Sequence, residues 1–216
     1  MTQSPAVQPE AWQREAFAAT LEAVLHTPRI DLEPLTETHA DELWLPLADP
    51  RLYDHVPQDP PSSLTALRER FAMLSARRSP QGDQLWLNWV MRDRSDGQCR
   101  GRLQATVTTE ALAWIAYDVF PPSWGAGFAT EGCLRMIEWL IDDLGVQQVA
   151  AEVDSLNDAS LRLLDRLGFQ RTSWRAAADQ FKGRVSNEWT LRLDAAAFVR
   201  ANAAQTVNGG ASAGAR

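Results

Sequence analysis

Alternation of apolar and polar residues marks the middle of the chain as β-structure. Residues 101–109 show the period of two that predicts a half-buried strand, and the apolar segments at residues 84–92 and 114–119 also predict strands. Asp96 and Gly97, between the first two of these strands, are typical of a tight turn, so we expect an antiparallel meander. The same criteria predict four further strands, at residues 29–35, 148–153, 169–175 and 186–193.

Apolar residues three or four positions apart predict helices around this sheet. Ser62 or Ser63 is suited to cap one of these helices, and Thr36 is suited to cap another. Glycines follow the last two helices, where they commonly end a helix. The predicted helices cover residues 37–47, 64–77, 130–144 and 159–167, and a further one lies within the first 27 residues.

This order of elements predicts one α/β domain of the α+β type, built on a mixed, mostly antiparallel sheet flanked by helices. We place the domain at residues 29–194, after an N-terminal helical extension at residues 1–28. Residues 195–216 are predicted to hold the end of a helix and then a tail. Because the segment after Asn202 is rich in Ala, Gly, Asn and Ser, we expect that tail to be disordered.

Composition and charge exclude several classes of protein. The formal net charge of -7 gives no basic surface for nucleic-acid phosphates, although it could attract a cationic amine. The N-terminus lacks the pattern of a signal peptide, and no apolar stretch approaches the length of a membrane span, so we expect a cytoplasmic protein. Cys99 and Cys133 are isolated and the three histidines are scattered, which predicts neither a metal site nor a disulfide.

A glycine-containing turn between a strand and a helix is the first segment with a chemical signature. Gly125 and Gly127 follow a Pro-Pro turn and come just before the helix predicted from Thr130. Glycines allow a sharp turn and close approach of a ligand to backbone N–H groups, and a helix N-terminus adds unpaired donors. The segment therefore predicts a cradle for phosphate groups. The alternative is that these glycines only make the turn.

A second strand and helix unit places another candidate beside the cradle. Asn157 and Ser160 follow the strand at residues 148–153, and Leu167-Gly168-Phe169 ends the helix. Together with the Trp-Gly-Ala-Gly-Phe-Ala segment, this pattern resembles the GNAT superfamily of acyl-CoA N-acyltransferases. The wording Trp-Gly-x-Gly-x-Ala-Thr-Glu is most similar to the branch of ribosomal-protein acetyltransferases that act on Ser or Ala N-termini. The resemblance extends from about Ile30 to Leu193.

The resemblance implies a V-shaped split in the sheet and a cosubstrate, acetyl-CoA or another acyl-CoA, with no metal. It implies that the pantetheine arm lies along Tyr117, Asp118 and Val119, and that Asn157 and Ser160 also contact the donor. Trp124 stands where the family pattern has a basic or amide residue. The cradle implied for the diphosphate consists of Trp124, Gly125, Ala126, Gly127, Phe128, Ala129 and Thr130.

Proton transfer is assigned through the same resemblance. Many members have a Tyr four residues after the Ser, which protonates the departing thiolate, but here Leu164 stands there. Ser160 is the nearest replacement, and the alternative is that it only supports the first turn of its helix. The branch also implies an acidic residue at Asp179, which would help to deprotonate the amine. Alternatively, Asp179 is a solvated turn residue between the last two strands.

The acceptor pocket is implied to be lined by the connection between the first two helices, with Tyr53 and His55 as contacts. We therefore predict transfer of acetyl from acetyl-CoA to a primary amine, on a small molecule or a peptide N-terminus, by direct attack. Two alternatives are a succinyl-CoA or other acyl-CoA transferase and a catalytically silent CoA-binding module. No nucleic-acid or membrane partner is predicted, and a homodimer is left open.

Overall fold

The fold is taken from a computed structural model, which describes residues 15–211 of the chain, with side chains from residue 17 to residue 203. Eight strands form one sheet: β1 (Leu25–His26), β2 (Ile30–Pro34), β3 (Gln84–Asp93), β4 (Cys99–Thr108), β5 (Leu112–Val119), β6 (Gln148–Asp154), β7 (Gln170–Phe181) and β8 (Arg184–Asp194). The described part contains the α-helices α1 (Glu15–Leu21), α2 (His39–Leu47), α3 (Leu64–Ser75), α4 (Phe128–Asp142), α5 (Asp158–Arg166) and α6 (Ala195–Ala211). Short 3-10 helices lie at Pro50–Tyr53 and Pro121–Ser123.

The sheet has the strand order β1-β2-β3-β4-β5-β6-β8-β7, and every neighbouring pair is antiparallel except β5 and β6. The predicted class, a single α/β domain with a mostly antiparallel sheet, is confirmed. The predicted meander is also confirmed, because β3, β4 and β5 are consecutive neighbours in antiparallel register.

Helices cover both faces of the sheet. The larger core lies between the sheet and helices α4 and α5, and includes Met136, Leu140 and Leu164, which are all fully buried. The smaller core lies under α2 and α3, where Leu43 and Phe71 are fully buried. We call these the helix α4/α5 face and the helix α2/α3 face. None of the helices in residues 15–211 is long and apolar enough to cross a membrane.

The helix caps and the N-terminal helix were predicted with mixed success. Thr36 does not cap α2, which starts at His39; the Thr36 hydroxyl bonds His39 Nδ1 at 2.8 Å instead. Ser63 does cap α3, since its hydroxyl accepts from Ala66 N at 3.1 Å. Leu25 was expected in the N-terminal helix but lies in β1, because it pairs with Leu32 of β2.

The two ends of the chain also differ from the predictions. The N-terminal extension contributes α1 and the edge strand β1, while the part of it before residue 15 lies outside the described residues. Helix α6 runs to Ala211, where disorder was expected after Asn202. Alanine is the strongest helix former, so the alanines that suggested a low-complexity tail support a helix here. Residues 212–216 lie outside the described part of the chain.

Candidate active site

A V-shaped opening separates the C-terminal halves of β5 and β6. The two strands pair in parallel only from Leu112 to Trp114, opposite Gln148 to Ala150. Beyond these positions β5 continues to Val119 and β6 continues to Asp154 with no further pairing between them. The predicted split in the sheet is therefore present, and it leaves one edge of β5 open.

Backbone groups of Tyr117 and Val119 face this opening. On the other side of β5, Phe120 N donates to Arg100 O in the β4 connection at 2.8 Å, so the preceding carbonyl, that of Val119, points away from β4. Because backbone groups alternate along an antiparallel ladder, the N–H and C=O groups of Tyr117 point the same way. Asp118 differs from the prediction, since its backbone is turned towards Arg102 of β4.

The glycine cradle lies just after β5, at the start of α4. Gly125 and Gly127 have positive φ angles of 74° and 85°, which side chains with a Cβ rarely adopt. The first bond of the helix runs from Glu131 N to Gly127 O at 3.1 Å. The four preceding N–H groups therefore have no acceptor within the helix. They belong to Gly127, Phe128, Ala129 and Thr130.

An ion pair holds the cradle against the turn between strands β1 and β2. Arg29 Nη1 donates to Ala126 O at 2.9 Å, and Arg29 Nε donates to the Glu131 carboxylate at 2.6 Å. Glu131 also accepts from Thr27 Oγ1 at 2.6 Å and from Arg29 N at 2.9 Å. Burial raises the pKa of the Glu131 carboxyl, but these hydrogen bonds outweigh burial and leave the pKa below its ordinary value. This clamp was not predicted, although Glu131 stands in the segment that carries the resemblance.

The Trp124 side chain hydrogen-bonds a backbone carbonyl at the open edge of β5. Its indole Nε1 donates to Val119 O at 2.6 Å, and its ring lies 5.6 Å from the Arg51 guanidinium carbon. About half of the side chain remains exposed. The residue that replaces the family's basic or amide side chain therefore contacts the carbonyl nearest to the cradle.

Helix α5 brings a serine hydroxyl to the same opening. The Asn157 side chain caps the helix, with Oδ1 accepting from Ser160 N at 3.1 Å. The Ser160 hydroxyl lies 2.6 Å from the phenol oxygen of Tyr117. Burial raises the pKa of the Tyr117 phenol well above its usual range, although the Ser160 hydrogen bond lowers it. The structure thus supplies a tyrosine hydroxyl beside Ser160, from β5 rather than from the position of Leu164.

A cavity of about 140 Å³ lies on the helix α2/α3 face beside β5. Its floor includes the ion pair between Arg102 and Asp118, whose atoms approach to 2.6 Å. Tyr53, which the sequence predicts as an acceptor contact, lines this cavity. Its hydroxyl donates to Leu47 O at 2.8 Å and is therefore already hydrogen-bonded within the fold. The polar lining also includes one further arginine and three amide side chains: Arg70, Gln58, Asn88 and Gln104.

His55 lies next to this cavity and faces the end of β6. Its Nδ1 is 3.9 Å from Oδ1 of Asp154, a carboxylate that is nearly fully buried. Asp154 Oδ2 accepts from Arg184 at 2.6 Å and from Ser186 at 2.7 Å. Burial raises the pKa of Asp154, but its hydrogen bonds and the Arg184 charge outweigh burial and keep the pKa below its ordinary value. No sequence pattern indicated Asp154 or Arg184.

Asp179 lies within strand β7, whereas the sequence predicted a position between the last two strands. It is directly opposite Ser186 of β8, so it occupies the same end of the sheet as Asp154. Its Oδ1 accepts from the adjacent Gln180 N at 2.7 Å. The role of Asp179 in deprotonating an amine stays a prediction.

Known proteins resemble this chain over the region that contains the opening, the cradle and helix α5. The family model described as the acetyltransferase (GNAT) domain matches residues 29–170. The N-acetyltransferase p20 of Bacillus licheniformis, itself uncharacterised, is 24% identical over 171 residues, which are 78% of this chain and 94% of that protein.

Two solved structures share the fold at low sequence identity. The RimL ribosomal L7/L12 α-N-protein acetyltransferase in complex with coenzyme A has a TM-score of 0.72 and 12% identity, over 80% of this chain and 98% of that one. The ribosomal-protein-S5-alanine acetyltransferase of Vibrio fischeri has a TM-score of 0.70 and 12% identity, over 80% of this chain and 96% of that one.

Proposed function

Because this chain belongs to the acetyltransferase (GNAT) domain family, and is thus an acyl-CoA-dependent N-acetyltransferase, we propose that it moves acetyl from acetyl-CoA directly onto a primary amine. The acceptor amine is a protein N-terminus or a small molecule. The observation that carries the proposal is the open edge of β5, whose backbone groups at Tyr117 and Val119 continue into the glycine cradle.

The parts of acetyl-CoA match the groups that lie from the cradle to the open edge of β5. The diphosphate is bound by the N–H groups of the cradle, where an added Cβ on Gly125 would meet no protein atom within 4 Å. The pantetheine arm then pairs with Val119, and Trp124 gives up its bond to the Val119 carbonyl. Asn157 Oδ1 is occupied by the helix cap, so its side-chain N–H groups are the ones that reach the donor.

Catalysis in this arrangement is mostly positioning. The Tyr117 N–H polarises the thioester carbonyl, and the amine attacks the carbonyl carbon without a covalent enzyme intermediate. The departing thiolate takes a proton from the Ser160 and Tyr117 hydroxyls, which lie 2.6 Å apart. Tyr117 therefore fills the role that the Leu164 substitution had left open.

Mass spectrometry of acyl-CoA that copurifies with the protein tests the donor. A panel of primary amines, with a diamine, free amino acids and peptides that begin with Ser or Ala, tests the acceptor. Acetyl transfer to at least one amine is expected. A succinyl or longer acyl group on the copurified CoA would instead favour a different donor, and binding of acetyl-CoA with no transfer to any amine would indicate a silent CoA-binding module.

A further inference from the structure

Two buried polar atoms lack a hydrogen-bond partner among the described side chains, and both lie in one cluster at the end of β6. They are His55 Nδ1 and Arg184 Nη1. Buried polar groups are normally paired, so each exception calls for an explanation. Both residues face the same carboxylate, that of Asp154, whose side chain is 2% exposed.

Side chains from the β7–β8 hairpin hydrogen-bond the backbone of the segment that carries His55. Lys182 Nζ, at the turn between β7 and β8, donates to Val56 O at 3.1 Å and to Gln58 O at 2.9 Å. Arg184 Nη2 donates to Asp54 O at 3.2 Å, in addition to its bond with Asp154. Three hydrogen bonds thus fix the backbone on both sides of His55, which limits the positions that its imidazole can take.

The contact between His55 and Asp154 is close but incomplete. The 3.9 Å separation of Nδ1 and Oδ1 exceeds a hydrogen bond by about 1 Å. Hydrogen bonds between catalytic groups are often long before the substrate binds and tighten afterwards. A proton on Nδ1, beside the ionised carboxylate, leaves Nε2 with its lone pair. Since the His55 side chain is 38% exposed, part of the imidazole stays accessible from outside the protein.

The face on which this cluster lies agrees with the path of an acceptor. Val149, Ala151 and Val153 of β6 pack in the core of the helix α4/α5 face, so the next residue, Asp154, points to the helix α2/α3 face. The acceptor cavity lies on that face as well. Ser160, by contrast, lies on helix α5, on the side that receives the donor. The two groups of proton-handling side chains therefore lie on opposite faces of the sheet.

We propose that His55 is the general base that deprotonates the acceptor amine, and that Asp154 is the positioning residue for its imidazole. The assignment rests on the proposed function. Nε2 takes one proton from the ammonium group, and the free amine forms the C–N bond to the thioester carbon. As the C–S bond breaks, the sulfur receives its proton from the Tyr117 and Ser160 side. The nitrogen of the new C–N bond loses its second proton to solvent, and the Tyr117 and Ser160 pair regains a proton from solvent. His55 then releases its own proton to solvent, so the net products are the amide, the free thiol and one proton.

This assignment competes with the one that the sequence predicted for Asp179. The Asp154 carboxylate on β6 lies 3.9 Å from His55 Nδ1 and is itself bonded by Arg184 of β8, while Asp54 precedes His55 and Lys182 bonds the residues that follow it. Asp179 lies on the edge strand β7, and its carboxylate accepts a bond from the neighbouring Gln180 N–H. An imidazole is also better matched than an ordinary carboxylate to accept a proton near neutral pH.

Steady-state kinetics of His55→Ala, His55→Gln and Asp179→Asn test the assignment, with the panel amine that reacts fastest with the wild type. We expect both His55 variants to lose about 10²-fold in kcat/KM for the amine, at the low end of the range for a general base, while calorimetric Kd values for acetyl-CoA stay unchanged. The loss should largely disappear with hydroxylamine, which is mostly neutral at the assay pH and needs no base. Added imidazole should restore part of the His55→Ala activity, and Asp154→Asn should show a smaller loss that imidazole does not restore.

His26→Ala is the matched control, because His26 also lies beside a carboxylate, that of Asp31 at 2.8 Å, but at the far edge of the sheet. It should react like the wild type. Wild-type rates in both His55 variants would overturn the assignment, and so would equal losses with hydroxylamine or a loss of acetyl-CoA binding. A large loss in Asp179→Asn alone would return the role to Asp179. A wild type that acetylates no amine at all would instead refute the proposed function.

Discussion

Replacing Ser160 by alanine removes the hydroxyl that lies 2.6 Å from the Tyr117 phenol and leaves that phenol with only Ser160 O, at 3.4 Å. One neutral hydrogen bond is lost, so the free energy of unfolding should fall by about 1 kcal/mol. The same bond lowers the pKa of a phenol that burial raises, so its loss makes Tyr117 a weaker acid. Since a thiolate is a good leaving group, we expect kcat to fall about tenfold, short of the ~10²- to 10⁴-fold typical of a general acid.

Tyr117→Phe should lower kcat by a similar factor, because it removes the other hydroxyl of the same pair. If the two hydroxyls deliver one proton together, the double variant should be little slower than either single variant, since residues that act as a unit are not additive. Ser155→Ala, at the residue that directly follows β6, is the control for loss of a serine hydroxyl near the site. Single-turnover rates and urea unfolding measure the two effects separately. Fully multiplicative losses, or unchanged rates in both single variants, would show that the pair does not share the proton.

Two further changes test the cradle. Gly125→Ala and its control Gly97→Ala introduce a Cβ at nearly the same φ, 74° and 72°, into space with no protein atom within 4 Å. Each variant should lose about 1 kcal/mol of stability, but only Gly125→Ala should weaken CoA binding. Equal Kd values for CoA by calorimetry would contradict the assignment of the cradle. Glu131→Gln should lower the free energy of unfolding by about 1–2 kcal/mol near neutral pH. Because the pKa of Glu131 is depressed in the fold, its contribution is present above the unfolded value of about 4.3 and is lost as pH falls through the folded value. The stability difference from the wild type, followed by urea unfolding, should therefore shrink in acid, and a difference independent of pH would argue against the ion pair.

The glycine turn before α4 could be predicted because the features that create it are local, whereas the split in the sheet was implied only by the resemblance to the GNAT superfamily. Gly125 and Gly127 are adjacent to the end of one strand and the start of one helix, so the turn chemistry appears within six residues. Asn157 and Ser160 likewise follow their own strand directly. Alternation was clear in β4 because that strand has one face in a core, whereas much of β3 is buried on both faces.

The clusters that join distant segments could not be predicted in this way. Arg29 and Glu131 are 102 residues apart, and Arg184 and Asp154 are 30 residues apart, so no spacing rule connects them. Strand β7 was predicted too short for another reason. Most of its side chains are exposed, including those of Arg175 and Gln180, and a strand without a buried face shows no alternation. Asp179 was therefore placed between the last two strands.

The proposed donor side and the proposed acceptor side of the site are each held by an arginine that bonds both a loop carbonyl and a carboxylate. On the donor side, Arg29 reaches from the β2 end of the sheet to a carbonyl of the cradle, and an acidic residue fixes its guanidinium. On the acceptor side, Arg184 reaches from β8 to a carbonyl beside His55, and Asp154 fixes it in turn. Each loop is thus positioned by a strand distant in sequence, and the two clamps share no residue. Because they share no residue, we expect substitutions in the segment from Asp54 to Gln58 to change which acceptor amine reacts and to leave the Kd for acetyl-CoA unchanged.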